Sequence, residues 1–288
     1  GGEDTLLVID PQTDEIVEQL TLGNDLHLAH VVLSADSSAA FVTALAAESH
    51  PEAELAFDDQ CFIEQGHFAG SDAQRIEAFV RLANDPAYDA IWFVRGGYGA
   101  CRIAEAAVKQ LKAPAKSKTY LGYSDQGNLL GALYKASIGW PVHGPMPADI
   151  RRQGGEDAVK QSLDWLIKGD PKSLESHIEA GQKYAAMLVG TPLMPDLKGH
   201  VLMVEEVSEY LYAFDRAFFH VGEHLKGAGL AGLRLGRVSD VPENDRPFGE
   251  TAEEIAQRWC GRFGIPYLGE ADIGHDSANK VVPFGLVG

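Results

Sequence analysis

The chain has 288 residues, 45% apolar and 23% charged, which suits one large or two medium folded units with a proper core. Its formal net charge of −18 repels phosphate backbones and anionic lipid, so nucleic acid and membrane surfaces are poor partners. Cys61, Cys101 and Cys260 are far apart and lack CxxC spacing, so buried thiols in a reducing compartment are expected rather than disulfides or zinc.

No apolar run approaches the roughly 18 residues of a membrane span. The opening GGEDTLLVID lacks the basic region of a signal peptide, and a cytoplasmic location is expected. Residues 1–25 read as a hairpin: 6–9 and 16–22 are β-rich, and DPQTD between them is turn chemistry. A strand is expected at 30–33 and a weak helix over 41–47. His27 and His30, three apart, could suit a metal, but no third ligand accompanies them.

Ser71 and Gln74 form a capping box, and Ile76, Phe79, Val80 and Ala83 then repeat at helical spacing. Residues 90–94 form a continuous apolar run, the pattern of a strand covered on both faces. Arg95-Gly96-Gly97-Tyr98-Gly99 follows, then a helix marked by Ile103, Val108 and Leu111. A strand at 120–123 and a helix over 126–138 continue the alternation. A parallel α/β sheet is the natural architecture, with its site at the carboxyl ends of the strands. Gly97 and Ser124 both fall there.

After Val142-His143-Gly144-Pro145 the character changes. An amphipathic helix over 158–167 stops at Gly169-Asp170-Pro171, and a polar stretch runs to about Lys183. The second part holds a strand at 201–207 and a long helix with Leu211, Phe214, Phe218, Val221 and Leu225 on one face. Gly227 stops that helix. A strand at 233–238, a Thr251/Glu254 capping box with a helix to Phe263, and short strands near 266–268 and 281–284 complete the chain.

Ser124 sits on a strand-to-helix turn, its hydroxyl open and N–H groups of the next helix beside it. The spacing G-Y-S-D-Q-G is not the G-x-S-x-G elbow, and a serine in such a turn is more often a helix cap than a nucleophile. Glu205 and Glu206 interrupt the apolar strand HVLMVEEV, where a carboxylate needs a partner. Alternation places Glu205 on the face of Val201 and Met203, and Glu206 on that of Leu202 and Val204. It does not choose between them. His275, in a loop beside Gly274, is the type of side chain that serves as a base near neutral pH. Ser, Glu and His then occur in the chain order of one class of hydrolase triads.

Together FAGSDAQR (68–75), YDAIWFVRGGYG (88–99), GYSD (122–125), HGPM (143–146), GTPLMPDLKGHVLMVEEVSEYLYAFDR (190–216), GIPYLGEADIGH (264–275) and VPFG (282–285) resemble the LD-carboxypeptidases. These muramoyltetrapeptide carboxypeptidases are serine peptidases that include the microcin C immunity peptidase. The resemblance implies a flavodoxin-like N-terminal parallel-sheet domain and a smaller C-terminal swivelling β/β/α domain. It implies Ser124 as nucleophile, His275 as general base and Glu205 as the group orienting it. The Gly97 and Asp125 amides would form the oxyanion hole. A carboxypeptidase must also hold the substrate's terminal carboxylate, for which Arg95, with Tyr98 nearby, is a candidate, though a structural ion pair is an equal reading of Arg95.

No metal or cofactor is implied. The implied partner is a murein tetrapeptide losing its terminal D-Ala in peptidoglycan recycling, and homodimers are usual in the family. The alternatives are a microcin C-type peptidyl-nucleotide substrate or a non-catalytic muropeptide binder. The expected division is an N-terminal extension over 1–25, a nucleophile domain over 26–150, a linker over 151–189 and a C-terminal domain over 190–288. The chain departs from the family pattern in four places, one being an only faint aliphatic strand-then-Ser start in HVVLSADSS (30–38). The other three are the extension, Gln126-Gly127-Asn128 after the Ser-Asp pair, and a shortened stretch before Gly190.

Overall fold

The computed structural model describes residues 4–9, 16–22, 38–185 and 193–287. The expected strand at 30–33, the pair His27 and His30, and the Gly190-Thr191-Pro192 turn lie outside these residues. Strands β1 (Asp4–Ile9) and β2 (Ile16–Leu22) pair antiparallel, as a hairpin requires. Helix α1 (Ser38–Ser49) follows, then α2 (Asp72–Asn84). Ser71 and Gln74 cap α2 reciprocally, as their spacing predicts.

The first sheet is built from β3 (Ala90–Trp92), β4 (Thr119–Gly122) and β5 (Trp140–His143), with α3 (Ala100–Val108) and α4 (Gly127–Lys135) as crossovers. The three strands are parallel. Strand β3 is shorter than the apolar run suggested, and its residues are only half-buried. Among the described residues it is the edge strand of its sheet, so one side lacks a covering neighbour.

Helix α5 (Gly155–Leu163) ends in a wide turn closed by Gly169 and packs on α1 through Val159, Leu163, Val42 and Leu45. The second sheet holds β6 (Lys183–Ala185), β7 (His200–Val207), β8 (Gly232–Ser239) and β9 (Tyr267–Glu270) in parallel. Helix α6 (Leu211–Leu225) lies between β7 and β8, and α7 (Ala252–Phe263) lies between β8 and β9. Strand β6 has only three residues, too few for a period to show.

The faces of β7 divide the core. Leu202 packs with Phe214, Phe218, Trp259 and Phe263 of α6 and α7. Val201 and Met203, on the other face, join Leu130 and Leu133 of α4. The two sheets therefore share a core, with α4 between them. The last strands reinforce this. β10 (Val282–Pro283) pairs antiparallel with β5 of the first sheet, and β11 (Gly285–Leu286) pairs with β6 of the second. The fold is thus α/β with two largely parallel sheets, each edged by one antiparallel strand.

The cysteines form no disulfide. Cys260 is buried, while Cys61 and Cys101 are half-buried. Burial pushes the Cys61 and Cys260 thiols up to about 11. Among the described residues no helix is long and apolar enough to cross a membrane.

Candidate active site

Strand β4 delivers Ser124 to the end of the first sheet. Ser124 takes φ 59°, the left-handed region that few non-glycine residues adopt. The chain turns sharply there and starts α4 through a short 3-10 turn over Ser124–Gln126. Gly96 makes room for it: a Cβ at Gly96 would lie 2.9 Å from Ser124 Cβ and 3.0 Å from its Oγ.

Asp125 contributes more than the backbone amide expected of it. Its Oδ2 accepts from Gly99 N at 2.8 Å and Ala100 N at 2.5 Å, and its Oδ1 accepts from Asn128 Nδ2 at 3.1 Å. The carboxylate caps α3 and ties the 95–99 turn to the serine turn. A side-chain cap reaching 25 residues back leaves no local sequence pattern.

Ser124 Oγ lies 2.9 Å from His275 Nε2, and His275 Nδ1 lies 2.7 Å from Glu205 Oε2. The carboxylate can only accept, so Nδ1 carries the proton and Nε2 is left to accept from the serine. Both His275 and Glu205 are mostly shielded from water. Glu205 reaches the histidine because it continues the Val201/Met203 face of β7, the face turned toward the first sheet. Gly236 on β8 allows this approach. A Cβ there would lie 2.6 Å from Ile273 Cγ1 and 3.0 Å from Glu205 Cβ.

Four contacts hold the histidine loop. Gly274 N donates to Asn279 Oδ1 at 3.2 Å, and His143 Nε2 donates to the same oxygen at 2.9 Å. Arg152 Nη1 donates to the His275 carbonyl at 2.6 Å. Asp276 pairs with Arg237 through two hydrogen bonds. The Tyr123 ring lies 5.0 Å from the imidazole, centroid to centroid. Burial holds the His143 imidazole below its ordinary value and hence neutral. Burial, and then the adjacent Asp149 charge, push the Tyr123 hydroxyl well up, and it donates to Asp149 at 2.7 Å. His143, Asn279 and Arg152 escaped the sequence reading. HGPM marked the position of His143, but its partner lies 136 residues away.

A cavity of about 400 Å³ opens beside Ser124, bounded by β7 and α6. Arg95 and Tyr98 do not line it. Both are exposed in the glycine turn, Tyr98 at 58%, with its ring 6.3 Å from that of Phe68. Arg95 accepts at its carbonyl from Gln126 Nε2 at 3.2 Å, and among the described residues its guanidinium forms no ion pair. Gly97 is exposed in the same turn.

A second cluster, Glu175, His177 and Asp272, has ligand atoms within 4.8 Å of one another, a spacing that could hold a metal. The buried Glu175 carboxylate is already occupied by the His177 and Asp272 amides and by His177 Nδ1.

Residues 31–144 match the LD-carboxypeptidase N-terminal domain, and residues 182–287 match the LD-carboxypeptidase C-terminal domain. A Synechocystis sp. protein named as a carboxypeptidase is 30% identical, over 76% of this chain and 75% of its own. The murein tetrapeptide carboxypeptidase of Pseudomonas aeruginosa is 23% identical over 76% of this chain and 78% of its own. Among solved structures, muramoyltetrapeptide carboxypeptidase from Oxalobacter formigenes superposes with a TM-score of 0.67 at 22% identity, covering 88% of this chain and 90% of that one. The microcin C7 self-immunity protein bound to aspartyl sulfamoyl adenosine gives 0.65 at 15% identity, covering 81% and 82%. These last two likenesses bear on the fold alone. With both domains matched in order along one chain, the protein belongs to the LD-carboxypeptidase family of peptidases.

Proposed function

We propose that this protein is a serine-type LD-carboxypeptidase that releases the C-terminal D-Ala of murein tetrapeptide. The observation that carries this reading is the unbroken hydrogen-bond chain from Ser124 Oγ through His275 to Glu205. A hydroxyl is a weak nucleophile until a base takes its proton, and the base works best with its tautomer held by a third group.

In this mechanism Ser124 Oγ attacks the carbonyl before the terminal D-amino acid while Nε2 of His275 takes the hydroxyl proton. Glu205 stabilises the imidazolium. The oxyanion is received by the amides of Gly97 and Asp125, one such donor being worth about 3 kcal/mol in comparable sites. The imidazolium returns the proton to the leaving amine as the C–N bond breaks, leaving an acyl-serine. Water, deprotonated by His275, then hydrolyses the ester and frees Ser124. Arg95, exposed and without an ion-pair partner among the described residues, is suited to the substrate's terminal carboxylate, with Tyr98 beside it.

In the same reading residues 26–150 carry the nucleophile, 151–189 form the linker, and 190–288 carry Glu205 and His275 and swivel as a unit. The protein acts in the cytoplasm, as a homodimer, in peptidoglycan recycling. Sedimentation at micromolar concentration tests the dimer; a monomer throughout refutes it. The activity is tested by mass spectrometry of a murein tetrapeptide digest. The parent is expected to release D-Ala and Ser124→Ala to release essentially none. Equal release by both sinks the assignment.

A further inference from the structure

The FAGSDAQR stretch packs against the turn that carries Gly97. A Cβ at Gly99 would lie 2.8 Å from Arg75 Nη1 and 3.0 Å from Phe68 Cε1, so the backbone passes close against both side chains. Gly99 takes φ 135°, a region that residues with a side chain rarely adopt. Its carbonyl accepts from Arg75 Nη1, 24 residues back, at 3.2 Å, and from Arg102 N at 3.2 Å. Its N–H is held by Asp125, and Gln126 Nε2 holds the Arg95 carbonyl at the other end of the turn.

Arg75, in the first turn of α2, is itself fixed. Its Nη2 donates to Asp72 Oδ1 at 2.5 Å, and its guanidinium carbon lies 5.0 Å from the centre of the Phe68 ring, within cation–π range. Arg102 of α3 makes the same two kinds of contact, to Asp72 Oδ2 at 3.0 Å and over Phe68 at 4.9 Å. The two arginines differ in burial and reach. The Arg102 side chain is 45% exposed and that of Arg75 only 12%. Among the described residues Arg75 Nε is buried and meets no acceptor. Exposed ion pairs add little to stability, whereas a buried donor without a partner is costly. Arg75 is held in spite of that cost where its planar fork spans Asp72 and the Gly99 carbonyl at once.

We propose that Arg75 is a positioning residue for the oxyanion site: anchored by Asp72 and Phe68, it fixes Gly99 and so aims the Gly97 amide at the oxygen that takes the negative charge. The inference rests on the proposed peptidase reading, in which Gly97 is an oxyanion donor. Arg75 acts through the turn and touches no substrate.

The test compares Arg75→Met with Arg102→Met in the full chain. Both lose a contact to Asp72 and one over Phe68, but only Arg75→Met loses the side-chain bond to Gly99. With murein tetrapeptide, Arg75→Met is expected to lower kcat by about 100-fold, the scale for one misplaced oxyanion donor, with KM near the parent's. Arg102→Met should keep kcat near the parent's. A peptide boronate, whose adduct on Ser124 carries a negative oxygen, should bind Arg75→Met more weakly by a similar factor. A chain that is merely less stable loses active enzyme and keeps its boronate affinity. Parent-like kcat and boronate affinity in Arg75→Met, or equal losses in the two variants, overturn the proposal. If the parent cleaves no tetrapeptide, the peptidase reading fails by itself and hydrogen exchange decides the clamp. The Gly99 and Ala100 amides, which Asp125 accepts, should then exchange at least tenfold faster in Arg75→Met alone. Equal exchange in all three chains overturns the clamp as well.

Discussion

Ser124 and His275 stand 151 residues apart in the chain, yet Oγ and Nε2 lie 2.9 Å apart. Ser124 hangs from the first sheet, while His275 follows the last parallel strand of the second. Their contact depends on how the two sheets pack across α4 and on how the 273–279 loop is held.

Glu205 and Glu206 offer the sharpest comparison. Glu205→Gln keeps a group of the same shape but removes the charge that favours the imidazolium and the correct tautomer. Its kcat should fall by about 10⁴-fold, the scale for neutralising the orienting carboxylate of a triad. Glu206→Gln, outside the hydrogen-bond chain from Ser124 to Glu205, should leave kcat near that of the parent. Steady-state kinetics on both variants checks this, and equal losses in kcat contradict Glu205 as the group that orients the histidine.

Gly96→Ala tests the space around Ser124, the proposed nucleophile. The added methyl meets Ser124 Cβ, which is fixed to the backbone, so the serine must move. A displacement near 1 Å costs on the order of 100-fold in rate. A fall of that size, with a melting temperature close to the parent's, is the expected result. Parent-like turnover would place the reacting hydroxyl elsewhere.

Asn279→Ala strips the acceptor shared by Gly274 N and His143 Nε2, both buried. Each donor left without a partner costs about 1–3 kcal/mol. At about 2–4 °C per kcal/mol for a chain of this size, the melting temperature should drop by several degrees. Activity should fall further than stability explains, because the same loop carries His275. Calorimetry beside kinetics separates the two effects, and a variant with unchanged melting temperature and rate removes Asn279 from the account.

The pH dependence of stability follows from His143. Burial lowers its folded pKa, so the native state keeps it neutral, while the unfolded chain takes up a proton below about 6.5. The unfolded state then binds more protons, and stability falls as the pH drops from about 6.5 toward 5, by at most about 1.4 kcal/mol per pH unit for this one group. Above about pH 7 the contribution is flat. Urea midpoints at pH 7.5 and 5.5 should differ, and His143→Gln should shrink the difference. A parent equally stable at both values contradicts the assignment.

Much of the architecture is local in origin and could be read from the chain. The capping boxes at Ser71/Gln74 and Thr251/Glu254 start α2 and α7 where the spacing places them. The strand-turn-helix around Ser124 follows from an apolar run broken by polar residues, and the face of α6 from its Phe214, Phe218 and Leu225 spacing. These features depend on backbone hydrogen bonds and side-chain periods within a few residues. The family motifs drew attention to Ser124, Glu205 and His275 one by one.

Tertiary structure decided which side chains meet. Alternation along β7 separates Glu205 from Glu206, but only the packing of that strand, Met203 toward α4 and Leu202 toward α6 and α7, turns Glu205 to His275. The Asp125 cap on α3, the His143–Asn279 bond and the return of Val282–Pro283 to β5 likewise join residues far apart in sequence. Such contacts follow no local period, because they are set by which buried surfaces fit together once the sheets have formed. The sequence by itself determined most of the elements and the buried faces of the longer ones, because those follow local periods, and the packing of the two sheets around α4 determined the site.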